Sequence, residues 1–398
     1  MSVEDNKAQP DKAAETRSDK PDKAPAKPKK APGKAVKKKD PVELYELSVS
    51  NAPHLKGKAK TSKIMIAVCA ALVPALVGSV LFQGWRSLVL VIIAAVSAVV
   101  FEALIQLLTK RKLTIADGSA ALTGVLLAFN LPYGVPWWLP VVGSFAAIAI
   151  AKQAFGGLGY NLFNPALVGR AILLASWPVH MTTWDTVPKL ANLSGTTIDA
   201  LSSATPLAVM KHSAAVLAEP GLYDPGAVSQ ASEAVSQLTG PLGIGKLALG
   251  QVGGCIGETS ALLLLFGALI LIMIGVVDWR IPLSYLGAIF VFTAIFGGVT
   301  TPDGTYHFTG LFHLMAGGAM LGALFMATDM VTTPVTKGGR IIFGIGAGLL
   351  AAIIRLWGGY PEGVSYSILL MNAATPLIDR YTTPKFFGSR RAKEAANA

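Results

Sequence analysis

Ten apolar segments between residues 64 and 378 decide the class of fold before any motif is read. They run at Ile64–Phe82, Leu88–Leu108, Ser119–Leu131, Trp138–Ala154, Leu162–Trp177, Ala261–Val277, Ile281–Val299, Leu311–Ala327, Ile341–Trp357 and Val364–Ile378, with few charges inside them. A bilayer core needs about 20 apolar residues per helical crossing, and inside it every backbone polar group has to be satisfied by the chain itself. Composition agrees. Of the 398 residues 52% are hydrophobic and only 14% charged, against about 25% charged in ordinary soluble domains. The expected fold is an all-α integral membrane protein with ten transmembrane helices. The third segment is too short to cross alone, and the Gly-rich stretch at 243–257 is expected to add an interrupted half-helix.

Flanking charge gives the orientation. With the N-terminal tail in the cytoplasm, the inner short loops carry Lys110, Arg111, Lys112, Lys152, Arg280, Lys337 and Arg340, and the outer ones Arg86 alone. This is the positive-inside asymmetry. The seven tryptophans fall at or just beyond segment ends, where an interfacial belt places them. Both termini are therefore expected on the cytoplasmic side of a bacterial or archaeal inner membrane. The formal net charge of +11 lies mostly in the N-terminal tail and at helix ends, so it speaks for membrane orientation and against a nucleic-acid partner.

Organisation follows the same pattern. Residues 1–41 hold 12 of the 34 Lys+Arg and no apolar run, the composition of a disordered tail, with lipid as one partner open to it. Residues 42–61 read as an interfacial segment. Five apolar segments fill 62–177, a polar loop occupies 178–244, five more segments fill 245–380, and a basic tail ends the chain at 381–398. An odd number of crossings per half inverts the second half relative to the first. The run from Tyr160 through Asn164-Pro165 to Arg170 is echoed from Tyr366 through Asn372 and Pro376 to Arg380, as two inverted five-helix repeats would have it.

Chemistry has few places to sit. The two cysteines, Cys69 and Cys255, are far apart, and an Fe–S cluster needs about four thiolates. No metal site is expected from this chain alone; a cluster shared with a neighbour stays open. Gly240-Pro-Leu-Gly-Ile-Gly245-Lys246 lacks the Ser or Thr of a phosphate-binding loop at Leu247. Gly344-Ile-Gly346-Ala-Gly348 reads as close helix packing, and His313 as a satisfied core histidine. Ionisable residues in spans are functional candidates because their burial is costly. Glu102, between Val99-Val-Phe101 and Ala103-Leu-Ile105, either binds a passing Na+ or H+ or pairs with a base such as Lys152 or Arg170. Asp117 and Asp329 stand at the ends of Gly-containing segments, as helix caps or as further ion ligands.

Within the polar loop lies Asp199-Ala-Leu-Ser202-Ser203-Ala204-Thr205-Pro206-Leu207. Its small residues leave the Thr205 hydroxyl open, Pro206 keeps Ala204–Thr205 out of a helix centre, and Lys211 and His212 follow closely enough to neutralise a phosphate. On the residues alone an ordinary Ser/Thr-rich loop is the plainer reading.

The pattern D-x-x-S-x-A-T-P-L resembles a flavinylation motif, with Ser203 where that motif usually has Gly. Asp117-Gly-Ser-Ala-Ala-Leu-Thr-Gly-Val-Leu-Leu-Ala-Phe-Asn-Leu-Pro132, then Pro136-Trp137-Trp138, then Phe155-Gly-Gly-Leu-Gly-Tyr-Asn161-Leu-Phe-Asn-Pro-Ala-Leu-Val-Gly-Arg170 occur in the same order as in one family. From about 45 to 385 the chain resembles the RnfD family of Rnf ion-translocating complexes, related to NqrB of the sodium-pumping quinone reductase. The resemblance implies a urea-transporter-like fold and FMN joined through its phosphate to Thr205, with Asp199, Ser202 and Ala204 completing the motif. It also implies a second, non-covalent riboflavin among the helices and no catalytic side chain of the chain's own. The implied partners are Rnf subunits A, B, C, E and especially the FMN-bearing G, and a flavin transferase. The implied role is electron transfer that couples ferredoxin and NAD redox chemistry to Na+ or H+ translocation. An NqrB-like quinone reductase component and, in a different class, a non-redox channel or secondary transporter are the alternatives.

Overall fold

A computed structural model describes residues 60–184, 205–258, 260–359 and 362–383. The expected tail at 1–41, most of the interfacial segment 42–61, and Asp199, Ser202 and Ala204 lie outside these residues.

The first half contains α1 (Thr61–Gln83), α2 (Trp85–Leu108), α3 (Ser119–Phe129), α4 (Trp138–Phe145, continuing as a π-helix over Ala146–Gln153) and α5 (Pro165–Ser176). Short helices follow: α6 (Pro178–Thr182), α7 (Pro206–Ala218), α8 (Pro225–Thr239) and α9 (Pro241–Leu249). The second half contains α10 (Ala261–Ile274), α11 (Arg280–Phe296), a hairpin of β1 (Val299–Thr300) and β2 (Tyr306–His307), and α12 (Gly310–Met315). It ends with α13 (Ala319–Leu321, continuing as a π-helix over Gly322–Met326), α14 (Lys337–Trp357) and α15 (Val364–Tyr381). β1 and β2 pair antiparallel, with Val299 opposite His307. The chain is mostly helical, with several strongly apolar helices, the build of an all-α membrane protein.

Each apolar segment coincides with helix, but only α1, α2 and α14, among the described residues, are long and apolar enough to cross a membrane by length and composition. The others are shortened by identifiable residues. α3 stops at Asn130-Leu131-Pro132, and the eighth segment is cut into α12 and α13 at Gly317 and Gly318, both at positive φ (63° and 67°) that only glycine adopts freely. The stretch at 178–244, expected as a loop, is largely helix where it is described. A proline at the first turn of α7, α8 and α9 presets φ and lacks the N–H that would have no partner there. Thr205 and Asp224 supply side-chain caps for α7 and α8.

Packing joins the two halves. α1 runs antiparallel to α10: Gly78 sits against Leu263, and Gly267 against the Ala71 carbonyl. α2 runs parallel to α4 and its π-helix, with the Ser144 hydroxyl donating to the Ala94 carbonyl (3.0 Å) and Gln153 reaching Glu102. In the second half α11 and α14 are parallel in the same way. Gly344 and Gly348 lie directly on Ser284 and Tyr285, which is close helix packing by small residues. One apolar core spans both halves. A second, smaller core is built by Leu207, Met210, Val216 and Leu217 of α7, Ala231 and Val235 of α8, Leu247, Val299 and Phe312.

Candidate functional site

The helix break at Ala316–Gly318 organises one region. α12 ends there with free carbonyls, and the buried Arg355 guanidinium of α14 meets them. Its Nη2 donates to the carbonyls of Ala316 (2.9 Å) and Gly317 (2.8 Å), its Nη1 to that of His313, and its Nε to that of Glu362 (3.0 Å). A cation at the C-terminal end of α12 is matched by a carboxylate at the start of α13, since a Cβ on Gly318 would stand 2.7 Å from Glu258 Oε1. Both charges oppose the helix dipole ends they face. His313 is buried edge-on to Phe312, and its Nδ1 has no partner among the described residues, so it is not the satisfied core histidine expected.

Leu207, two residues after Thr205, rests on this break. A Cβ on Gly317 would lie 2.7 Å from Leu207 Cδ2 and 3.1 Å from Arg355 Nη2, so the first turn of α7 covers the bend. Thr205 is only 3% exposed, against the expectation of an open hydroxyl. Its Oγ1 turns back to accept the Ala208 N–H (3.2 Å), because an N-cap side chain satisfies an amide that the helix leaves free. Lys211, expected near a phosphate, is spent elsewhere: its Nζ donates to the Gly358 carbonyl, and burial pulls its amine below the usual lysine range. His212 is exposed.

Below the break, Arg170 donates to Asn130 Oδ1 (2.7 Å) and pairs with Glu362. Cys255 Sγ and the carboxylates of Glu258 and Glu362 lie within 4.8 Å of one another, a geometry able to hold a metal ion, with Arg170 already on one of the carboxylates. Asn164 Nδ2 reaches the Met326 carbonyl (3.1 Å), tying the start of α5 to the end of the second π-helix. Asn372 is buried with neither side-chain atom partnered, and Asn161 Oδ1 is likewise free, among the described residues.

The second region is polar and lies in the first half. Glu102 pairs with Lys152 (Oε1–Nζ 2.8 Å), not with Arg170, and both are almost fully buried. Gln153 and Gln106 donate to the same oxygen at 2.8 and 3.3 Å. Lys152 Nζ also donates to Ser119 Oγ (2.6 Å), whose hydroxyl donates to Asp117 Oδ1 (2.6 Å). Glu102 and Asp117, 15 positions apart in the chain, are thus joined through Lys152 and Ser119. Asp117 also accepts the Ser119 N–H (2.8 Å) and so caps α3. Asp329 stands apart, accepting from the Val331 N–H and the Thr332 hydroxyl at 3.3 and 3.4 Å. Sequence reasoning missed Arg355, Glu258 and Glu362 as site residues. Arg355, an ionisable residue inside Ile341–Trp357, carried the signal that would have found it.

Comparison with known proteins adds a family-model match, described as the NQR2, RnfD, RnfE family, over residues 48–388. The D subunit of the Na(+)-translocating ferredoxin:NAD(+) oxidoreductase complex of Acetobacterium woodii is 47% identical over 352 residues, 88% of this chain and 98% of the relative. The D subunit of the proton-translocating ferredoxin:NAD(+) oxidoreductase complex of Clostridium ljungdahlii is 46% identical over 86% of this chain and 97% of its own. The D subunit of an ion-translocating oxidoreductase complex of Escherichia coli is 38% identical over 86% and 99%.

Proposed function

The chain belongs to the NQR2, RnfD, RnfE family, and on that premise we propose that it is the flavin-carrying membrane subunit of its complex. It is a subunit of an Rnf-type, ion-translocating ferredoxin:NAD(+) oxidoreductase. The quinone-reductase and non-redox alternatives have no comparable support, since the relatives at 46–47% are named for ferredoxin and NAD(+) over nearly their whole length.

Thr205 is the attachment point for FMN. The observation that carries this is the position of its Oγ1 at the N-terminus of the 13-residue α7, where a phosphodiester would meet the backbone N–H of Leu207 and the positive end of the helix dipole. Esterification keeps an oxygen in place to accept the Ala208 N–H. Because the hydroxyl is buried in its cap, the flavin transferase acts on a chain whose α7 start is transiently open. Asp199, Ser202 and Ala204 complete the motif for that enzyme. When bound, the flavin supplies the one- and two-electron redox chemistry; the chain's residues anchor and orient it. Arg355 and Glu258 hold rigid the bend on which Leu207, two residues past the anchor, rests. Asn372 and Asn161 offer unpartnered buried atoms to a second, non-covalent riboflavin among the helices.

Ten membrane segments in two inverted five-helix halves fit the packing. The first helices of the two halves, α1 and α10, are antiparallel, while the second and fourth segments are parallel within each half. Antiparallel first helices are what a two-fold axis in the membrane plane would give, and this supports the reading. Both termini are cytoplasmic by the distribution of Lys and Arg, α7 and α8 lie outside an inner membrane, and the remaining Rnf subunits, the FMN-bearing one above all, are the electron partners. Glu102, with Asp117, and separately Asp329, are the ion-pathway residues; Na+ and H+ remain equally served by carboxylates.

Mass spectrometry of the peptide spanning Thr205, from complex made in the presence of the transferase, tests the anchor. The added mass of an FMN diester is expected there, and an ultraviolet-fluorescent band on a denaturing gel. Unmodified Thr205, or a band that persists in Thr205→Val, refutes it.

A further inference from the structure

The reading of Glu102 as an ion-pathway residue leaves its buried partner unexplained, and the inference here rests on that reading. We propose that Lys152 is a tethered substitute cation: its ammonium holds Glu102 between passages of the transported ion and withdraws along Ser119 to Asp117 when that ion arrives.

Four observations carry this. Glu102 is used on one side only. Oε1 accepts from Lys152, Gln153 and Gln106, whereas Oε2 is buried with no partner among the described residues. Leaving a carboxylate oxygen unpaired in that setting is costly, and a partly dehydrated cation or a proton would satisfy it. Second, Lys152 already touches its alternative berth. Its Nζ is 2.8 Å from Glu102 Oε1 and 2.6 Å from Ser119 Oγ, which is itself 2.6 Å from Asp117 Oδ1. A modest rotation of a flexible four-carbon stem carries the ammonium from one carboxylate to the other. Third, the charge balances for a monovalent ion. One positive charge arrives at Glu102 as one leaves for the half-buried Asp117, so the deeply buried carboxylate is compensated at every stage.

The fourth observation is local backbone. Lys152 and Gln153 belong to a π-helical turn (Ala146–Gln153) and both reach Glu102. Adjacent positions on an α-helix point about 100° apart, and the wider turn brings them nearer one face. From the same helix as Glu102, Gln106 joins this cluster, and through it the loop residue Thr114. Among the hydrogen bonds and ion pairs of the described residues, the titratable members are Glu102, Lys152 and Asp117.

The mechanism gives Lys152 and Asp117 opposite signatures. Without its tethered competitor, Glu102 binds the transported ion more tightly. Without the second berth, the ammonium stays on Glu102 and the ion competes less well. The test uses the whole complex in proteoliposomes, with ferredoxin-driven NAD(+) reduction measured against Na+ at fixed pH and against pH at fixed Na+. Lys152→Gln is expected to lower the half-saturating concentration of the coupling cation about tenfold and to slow turnover, because the bound ion is no longer expelled. Asp117→Asn is expected to raise that concentration by a similar factor, and Ser119→Ala to fall between wild type and Asp117→Asn. A purely structural ion pair would reduce assembly and turnover without moving half-saturation in opposite directions.

Shifts in the same direction, or none, overturn the proposal. If Lys152→Gln fails to assemble, the Asp117→Asn and Ser119→Ala pair decides, since an unmoved half-saturation in both refutes the berth. Glu102→Gln separates the two levels of argument. Wild-type ion dependence in that variant sinks the ion-pathway reading itself, whereas lost ion dependence with an unmoved Asp117→Asn sinks only the exchange.

Discussion

The same substitution, glycine to alanine, is expected to have opposite signs at two positions of one helix pair. On α14, a Cβ at Gly348 would stand 2.8 Å from Ala288 Cβ and 3.2 Å from the Tyr285 carbonyl carbon, and closer still to the Tyr285 oxygen. Those are backbone and short side-chain atoms that cannot rotate away, so α14 must move off α11 by several tenths of an ångström. Such overpacking costs about 1–3 kcal/mol, set against about 1 kcal/mol gained from alanine's helix propensity. With backbone atoms that cannot yield, the cost falls at the upper end of that range, and Gly348→Ala should destabilise by about 2 kcal/mol. On α11, a Cβ at Gly287 meets nothing within 4 Å. Gly287→Ala should stabilise by about 0.5–1 kcal/mol. Unfolding of the purified protein in a fixed detergent, followed by helical circular dichroism, would measure both. Equal effects, or a Gly348→Ala protein as stable as the parent, would refute the close contact of α11 and α14.

Other expectations concern the site. Thr205→Val keeps the volume of a buried side chain and loses only the cap, about 1 kcal/mol, so it should yield folded protein without covalent flavin, while Thr205→Ser should keep both; gel fluorescence beside a thermal melt separates the two effects. Gly318→Ala forces a Cβ into a left-handed turn and against Glu258, at a cost of at least about 1–2 kcal/mol, and should lower the melting temperature more than Gly338→Ala, whose Cβ has open space. At Asp278 burial raises the carboxyl's affinity for a proton, but hydrogen bonds from the Arg280 amide and from the Arg340 and Arg280 side chains outweigh it and hold the group below the usual carboxylate range. A depressed folded value means its contribution is present above the unfolded pKa, about 4, and is lost as pH falls through the folded one. Acid unfolding profiles should show Asp278→Asn to be less stable than the parent near neutrality, with the gap closing on acidification.

The sequence alone determined where most of the helix in the apolar segments forms. A long apolar segment favours helix, which pairs its N–H and C=O groups within the segment itself. Cap residues followed by proline, as at Asn164-Pro165, Thr205-Pro206 and Asp224-Pro225, set helix starts through contacts a few residues long. The helices between 206 and 249 were written in the same local code, at Thr205, Asp224 and the three prolines, but masked by polar composition. Tertiary structure decided who partners whom. Glu102 had Lys152 and Arg170 as equal suitors by sequence; packing of α2 beside the π-helix gave it Lys152, and the crossing of α3 and α5 sent Arg170 to Asn130 and Glu362. Arg355 reads as a lone charge in an apolar run until α12 breaks and turns three carbonyls toward it. Burial of a charge is compensated in three dimensions, by groups far away along the chain, and no pattern of short period records that distance.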